Sequence, residues 1–146
     1  MKEILFKAKR LKTDEFDESG WVLGLLQYDV DGKITSIQSQ YNGKENILPE
    51  TICQYTGLTD SNGVKIFEND FIQLTPNSDT HFLIKWNSED CCFVVNSVGS
   101  DRNFQLSDLL AKESIVVGNR FDEGCYPELE KQKRLGYINF AEYKVE

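Results

Sequence analysis

Few residues in this chain could do chemistry, and they lie far apart. His81 is the single histidine, and Cys53, Cys91, Cys92 and Cys125 are the four thiols. His81 with Cys91 or Cys92 is the one available pairing of base and nucleophile. It requires a thiolate held at hydrogen-bond distance by the imidazole. No sequence frame around these residues sets that geometry, and neighbouring strand residues point to opposite faces, so at most one of the two thiols would reach the ring. With no CxxC pair and one histidine, the spacing of a zinc site is missing as well, and buried, reduced thiols are the expectation. Asp70 is a candidate general base. A lone carboxylate after Asn69 more often caps a turn by accepting backbone N–H bonds, and no partner acid or base is assignable nearby. Gln54, Tyr55 and Thr56 are a candidate binding surface, because a tyrosine beside a strand presents a flat ring to a ligand. The alternative is that Tyr55 packs inward while Thr56 and Gly57 shape a bend. Gly118-Asn119-Arg120 has neither the glycine number nor the spacing of a phosphate loop. These residues predict no enzyme, no metal and no cofactor.

The elements that must position them read as β structure. Ile4, Phe6 and Ala8 alternate with Glu3, Lys7 and Lys9, which predicts a first strand with one buried face. The acidic block Asp14, Glu15, Asp17 and Glu18 ends it. Trp21 to Val30 is an apolar run interrupted by Gly24, and Asp31-Gly32 turns the chain toward Ile34 and Ile37, because Asp-Gly adopts the positive φ of a hairpin turn. Asn42-Gly43 is a further turn, and Pro49 sets off the central stretch. There, Ile52 to Leu58 and Val64 to Leu74 flank Asp60-Ser61-Asn62-Gly63, and Glu68-Asn69-Asp70 predicts a second tight turn before Phe71. Val64, Ile66, Phe71 and Ile72 are the expected core residues. His81 to Trp86 and Cys91 to Val95 form another pair around Asn87-Ser88-Glu89-Asp90. Ser107 is a plausible N-cap for a short helix to Lys112 with Leu106, Leu109 and Leu110 on one side, and Ile115 to Val117 returns as a strand. Pro127 to Leu135 reads as a helix, with acids near its start, bases near its end and Gly136 to stop it. The alternating tail after Gly136 is expected to pair as an edge strand or to reach into another subunit.

Composition narrows the partners. At 146 residues with a formal charge of −8, the chain lacks the basic surplus that draws counterion-release energy from phosphates. Residues 2 to 12 nevertheless hold five Lys or Arg against one acid, and Lys7, Lys9, Arg10 and Lys12 could make a basic strand face. Lys7 and Lys9 share one face and Arg10 and Lys12 the other, which dilutes that cluster. No signal-peptide core or membrane span is legible, so a cytoplasmic place is expected.

Gln54-Tyr55-Thr56-Gly57-Leu58, the spacer with Asn62-Gly63, and Ile66-Phe67-Glu68-Asn69-Asp70-Phe71-Ile72 together resemble the YopX family of phage and prophage proteins. The amino-terminal Ile-Leu-Phe-Lys-Ala-Lys-Arg, Ile84-Lys85-Trp86, and Ser114-Ile115-Val116-Val117-Gly118-Asn119 followed by Pro127-Glu128-Leu129 are similar to the flanking segments of the same family in the same order. One departure is Asn69, where family members usually carry Gly; Asn is the next-best residue at positive φ, so the turn is expected to survive. The resemblance implies a protein of temperate phages or integrated elements in a bacterial host, self-associating, with no catalytic residue to carry over.

The expected fold is mainly β, α+β only at the margins, with a small, strongly bent SH3-like barrel, an N-terminal β hairpin region and one or two short helices. Residues 1–48 are expected to form the hairpin subdomain, 49–122 the barrel and 123–146 the C-terminal helix and tail strand, within one compact unit. The expected function is a non-enzymatic homo-oligomeric interaction module that contacts an unidentified host or phage protein. The alternative is nucleic-acid binding by the barrel, a fold analogy that the net charge opposes.

Overall fold

The structure, a computed structural model, describes residues 2–11, 20–74, 80–97 and 102–122. The chain divides into two compact units, one running to Tyr55 and the other beginning at Thr56. The division falls inside a strand, seven residues beyond the boundary expected at 48/49. The expected C-terminal helix and tail strand, the acidic block at 14–18 and Cys125 lie outside the described residues.

The first unit is a curled antiparallel meander. Strands β1 (Phe6–Lys9), β2 (Trp21–Tyr28), β3 (Ile34–Ser39) and β4 (Gly43–Asn46) pair in sequence order, followed by a single 3-10 turn at Pro49–Thr51 and the start of β5 (Cys53–Thr59). In β2 the period-2 pattern is plain: Val22 and Gly24 are buried while Leu23 and Leu25 face solvent. Gly24 has to be glycine, because a Cβ there would lie 2.0 Å from the carbonyl oxygen of Gln38. The hairpin between β2 and β3 is tied by Asp29, whose Oδ1 accepts from the N–H groups of Asp31 and Lys33, with Gly32 at φ 79°. Past β4, Ile47 forms a bridge with Arg10, and Leu11 donates its N–H to the Asn46 carbonyl, so the end of β1 meets the end of β4. This curl surrounds an aliphatic core of Ala8, Val22, Ile37 and Ile47, with Leu26 and Ile52 packed on it.

The second unit takes up the rest of β5, then β6 (Lys65–Phe67), β7 (Asp70–Gln73), β8 (His81–Asn87), β9 (Cys92–Ser97), β10 (Asn103–Gln105), a short helix α1 (Asp108–Lys112) and β11 (Ile115–Asn119). Strand β5 thus serves both units: Cys53 and Gln54 pair with β1, and beyond them β5 neighbours β6. The second sheet has the order β10-β9-β8-β7-β11, all antiparallel. One of its faces carries Ile72, Ile84 and Val95, which bury together with Ile66, Leu106 and Ala111. Helix α1 is capped by Ser107, whose hydroxyl accepts the Leu110 N–H.

The fold is mainly β, with two antiparallel sheets and one short α-helix among the described residues. The pairings of the central stretch do not close into the barrel expected of it: β10 and β11 end the second sheet, and the ring-like return belongs instead to the first unit. Three burial expectations also change. Ile4 is exposed and Leu5 is buried, because the strand pleat starts only at Phe6 and the Leu5 carbonyl receives the Tyr55 N–H. Val64 is 50% exposed because it closes the turn, giving its N–H to Asp60 and receiving the Asp60 N–H on its carbonyl. Leu109 projects into solvent, since in so short a helix the ~100° step per residue turns it away from Ala111.

Candidate functional site

Three polar side chains of the second unit do most of the positioning work, and each is engaged with backbone. Asp60, at the end of β5, is buried. Its Oδ1 accepts from Asn62 N–H at 2.8 Å and Val64 N–H at 2.9 Å, and its Oδ2 accepts from Val116 N–H at 2.9 Å on β11. The adjacent Ser61 N–H donates to the Ser114 carbonyl. One carboxylate therefore holds the Asp60–Gly63 turn shut and fastens it to a strand 56 residues further on. Gly63, at φ 80°, takes the left-handed position of that turn.

Asp70 is fully buried at the start of β7. Its Oδ2 accepts the Phe67 N–H at 2.7 Å and its Oδ1 accepts the Asn119 side-chain amide at 2.9 Å. Asn69 sits at φ 71°, donates its N–H to the Ile84 carbonyl, and accepts the Arg120 N–H. Asn119, equally buried, donates its N–H to Asp122 and accepts from the Phe121 N–H. The expected turn at Glu68-Asn69-Asp70 is thus present, with Asn in the left-handed position that glycine usually fills. Asp70 lies buried as the clamp of that turn.

Thr56 donates its hydroxyl to the Ile66 carbonyl at 2.7 Å and accepts the Leu58 N–H, while Gly57 at φ 90° bends the strand. Tyr55 is buried in the first unit, and Gln54 is half-buried opposite Phe6. Of the candidate binding residues, then, Gln54 and Tyr55 belong to one unit and Thr56 and Asp70 to the other.

His81 and the vicinal cysteines are not brought together. Cys92 pairs with Asn87 at the far end of β8, six strand positions from His81, or about 20 Å at ~3.3 Å per residue. Cys91 lies in the turn rather than the strand, exposed and at φ 52°. Cys53 is buried and donates its thiol to the Thr51 carbonyl, so the expectation of buried thiols holds for it and fails for Cys91. No cluster of three or more metal-ligating side chains occurs among the described residues.

On the first unit, Lys7 and Lys9 both place their Nζ over the Trp21 ring, at 4.6 and 4.8 Å from its centre. Lys9 is only 8% exposed. Its backbone N–H donates to the hydroxyl of Thr51, which in turn donates to the Leu48 carbonyl and so anchors the 3-10 turn.

Sequence reasoning missed Asp60 and Asn119 as anchors. The first had a readable signal, an aspartate opening Asp-Ser-Asn-Gly between two strands, which is the frame of a side-chain-capped turn. The second had none, because its partner Asp70 is 49 residues away.

These features define a class: a mainly β protein whose buried carboxylates and amides serve its turns. The chain belongs to the YopX family, whose model, described as YopX protein, matches residues 7–128. Its fold is similar to the crystal structure of protein EF1440 from Enterococcus faecalis, with a TM-score of 0.53 and 22% identity over 87% of this chain and 97% of that one. No curated protein matches the chain.

Proposed function

We propose that this YopX-family protein is a non-enzymatic, self-associating interaction module that acts through protein contacts in a bacterial host carrying a phage or prophage. The observation behind this reading is how the polar and apolar side chains are deployed. Asp60, Asp70, Thr56 and Asn119 direct their polar atoms to the protein's own backbone and to one another, while Leu23 and Leu25 stand side by side on one face of β2, 41% and 53% exposed. Trp86, edge-on to Phe93 at 5.1 Å, adds an exposed aromatic at the end of β8. Apolar groups paired in this way are more suggestive of protein contact than singly scattered ones. No helix among the described residues is long and apolar enough to cross a membrane.

Nucleic acid is not the proposed partner. Lys7 and Lys9, half of the basic segment, lie over Trp21, and Lys9 is buried, which leaves a poor phosphate surface on a chain of charge −8. Light scattering on a sizing column tests the reading: a mass above that of one chain at micromolar concentration is expected. A strict monomer that also captures no protein from induced cells would overturn it. A low-salt anisotropy titration with single- and double-stranded DNA is expected to show no shift.

A further inference from the structure

Strand β10 ends the second sheet, and all three of its residues are exposed. Leu106 donates its N–H to the Phe93 carbonyl, which sets the phase of the ladder. In an antiparallel pair the residues that bond the neighbouring strand alternate with those that face away. Phe104, two residues before Leu106 and opposite Val95, therefore faces β9 with its backbone, and Asn103 and Gln105 turn their N–H and C=O groups outward. No described residue bonds those outward groups. Two other edges differ. The end of β4 is met by Leu11 and its middle carries Lys44 and Glu45, while on β11 the Val116 N–H is taken by Asp60. Charge on an edge strand and side-chain capping are common ways of keeping other chains off. Asn103-Phe104-Gln105 carries neither charge nor proline.

We propose that the β10 edge pairs with the same edge of a second copy of this chain, antiparallel about a two-fold axis at Phe104. The inference rests on the self-association proposed above and names its surface. The register is self-complementary. A two-fold at position 104 sets Asn103 opposite Gln105 of the other copy and Gln105 opposite its Asn103, so every outward backbone group meets a partner. The two Phe104 rings, 54% exposed in the single chain, become a close non-hydrogen-bonded cross-strand pair. Arg102 falls opposite Leu106 rather than another arginine, so no like charges oppose each other directly along these positions, which matters for two chains of charge −8. The two five-stranded sheets become one ten-stranded sheet with an isologous interface.

Three variants test this in the full chain by light scattering and analytical ultracentrifugation. Phe104→Lys and Gln105→Pro act at exposed edge positions, so both are expected to keep the native circular dichroism and melting transition. Each is expected to weaken association at least about tenfold. Val30→Lys, in the exposed hairpin turn of the first unit, is expected to leave the association constant within about threefold. A wild-type oligomer whose mass survives both edge variants would overturn the β10 interface while leaving self-association intact. A wild-type monomer would overturn both. As a positive readout, Phe104→Cys in a Cys91→Ser background is expected to form an interchain disulfide on mild oxidation. Its absence in a chain that still associates would also reject the two-fold at residue 104, and would point to another strand, such as the tail of a second copy, on that edge.

Discussion

The two units of this protein secure β structure by different means. In the first, strands close around four aliphatic side chains, Ala8, Val22, Ile37 and Ile47, and the curl is tight enough that Gly24 meets the backbone of β3 directly. In the second, the sheet and helix bury a larger apolar cluster, but its turns are fastened by buried polar groups: Asp60 to β11, Asp70 to Asn119, and Thr56 to Ile66. The contrast teaches that a short meander can rest chiefly on packing and close approach, with local side-chain ties at Asp29 and Thr51. A sheet whose neighbouring strands are far apart in sequence, as β7 and β11 are, gains from side chains that fix which distant strands meet.

That comparison can be broken most severely at Gly24. Gly24→Ala puts a methyl group into the Gln38 carbonyl, and the expected loss is about 3 kcal/mol or more, read as a lowered urea midpoint. A loss under about 1 kcal/mol would mean that the first unit is not held by close strand approach. Asp70→Ala ranks next, since it leaves the Phe67 N–H and the Asn119 amide buried without their carboxylate, for an expected loss of about 2–4 kcal/mol. Should Asp70→Ala melt like the wild type, the polar-clamp account of the second unit falls.

Thr56→Val removes one hydroxyl that both donates and accepts, and about 1–2 kcal/mol is expected, measurable by chemical denaturation with the Leu58 amide exchanging faster. The smallest effect sharpens the picture of the hairpin between β8 and β9. Cys91→Gly relieves a non-glycine residue at φ 52° and is expected to raise stability by up to about 1 kcal/mol, whereas destabilisation would show that the Cys91 side chain supports the turn.

Much of this was legible in local sequence. Asp31-Gly32, Asn42-Gly43, Asn62-Gly63 and Asn69-Asp70 marked turns that exist, because turn chemistry is set by backbone angles within four residues. Ser107 marked its helix for the same reason. The apolar run from Trp21 located β2, and the turn residues Asn87-Ser88-Glu89-Asp90 located β8 and β9 on either side of them. The separation of His81 from Cys92 was less accessible, since the two lie in regions rightly read as paired strands and only the register, with Cys92 opposite Asn87, sets them far apart.

The sequence by itself determined the β-rich character, the turns, the capped helix and the family, because each depends on contacts between near neighbours or on a contiguous motif. Tertiary structure alone decided that the end of β1 meets the end of β4, that Asp60 and Asp70 are buried as clamps of their turns, and that no described residue bonds the outer edge of β10. Those outcomes depend on pairings across tens of residues, whose register is settled by burial of whole faces and by satisfaction of distant backbone groups.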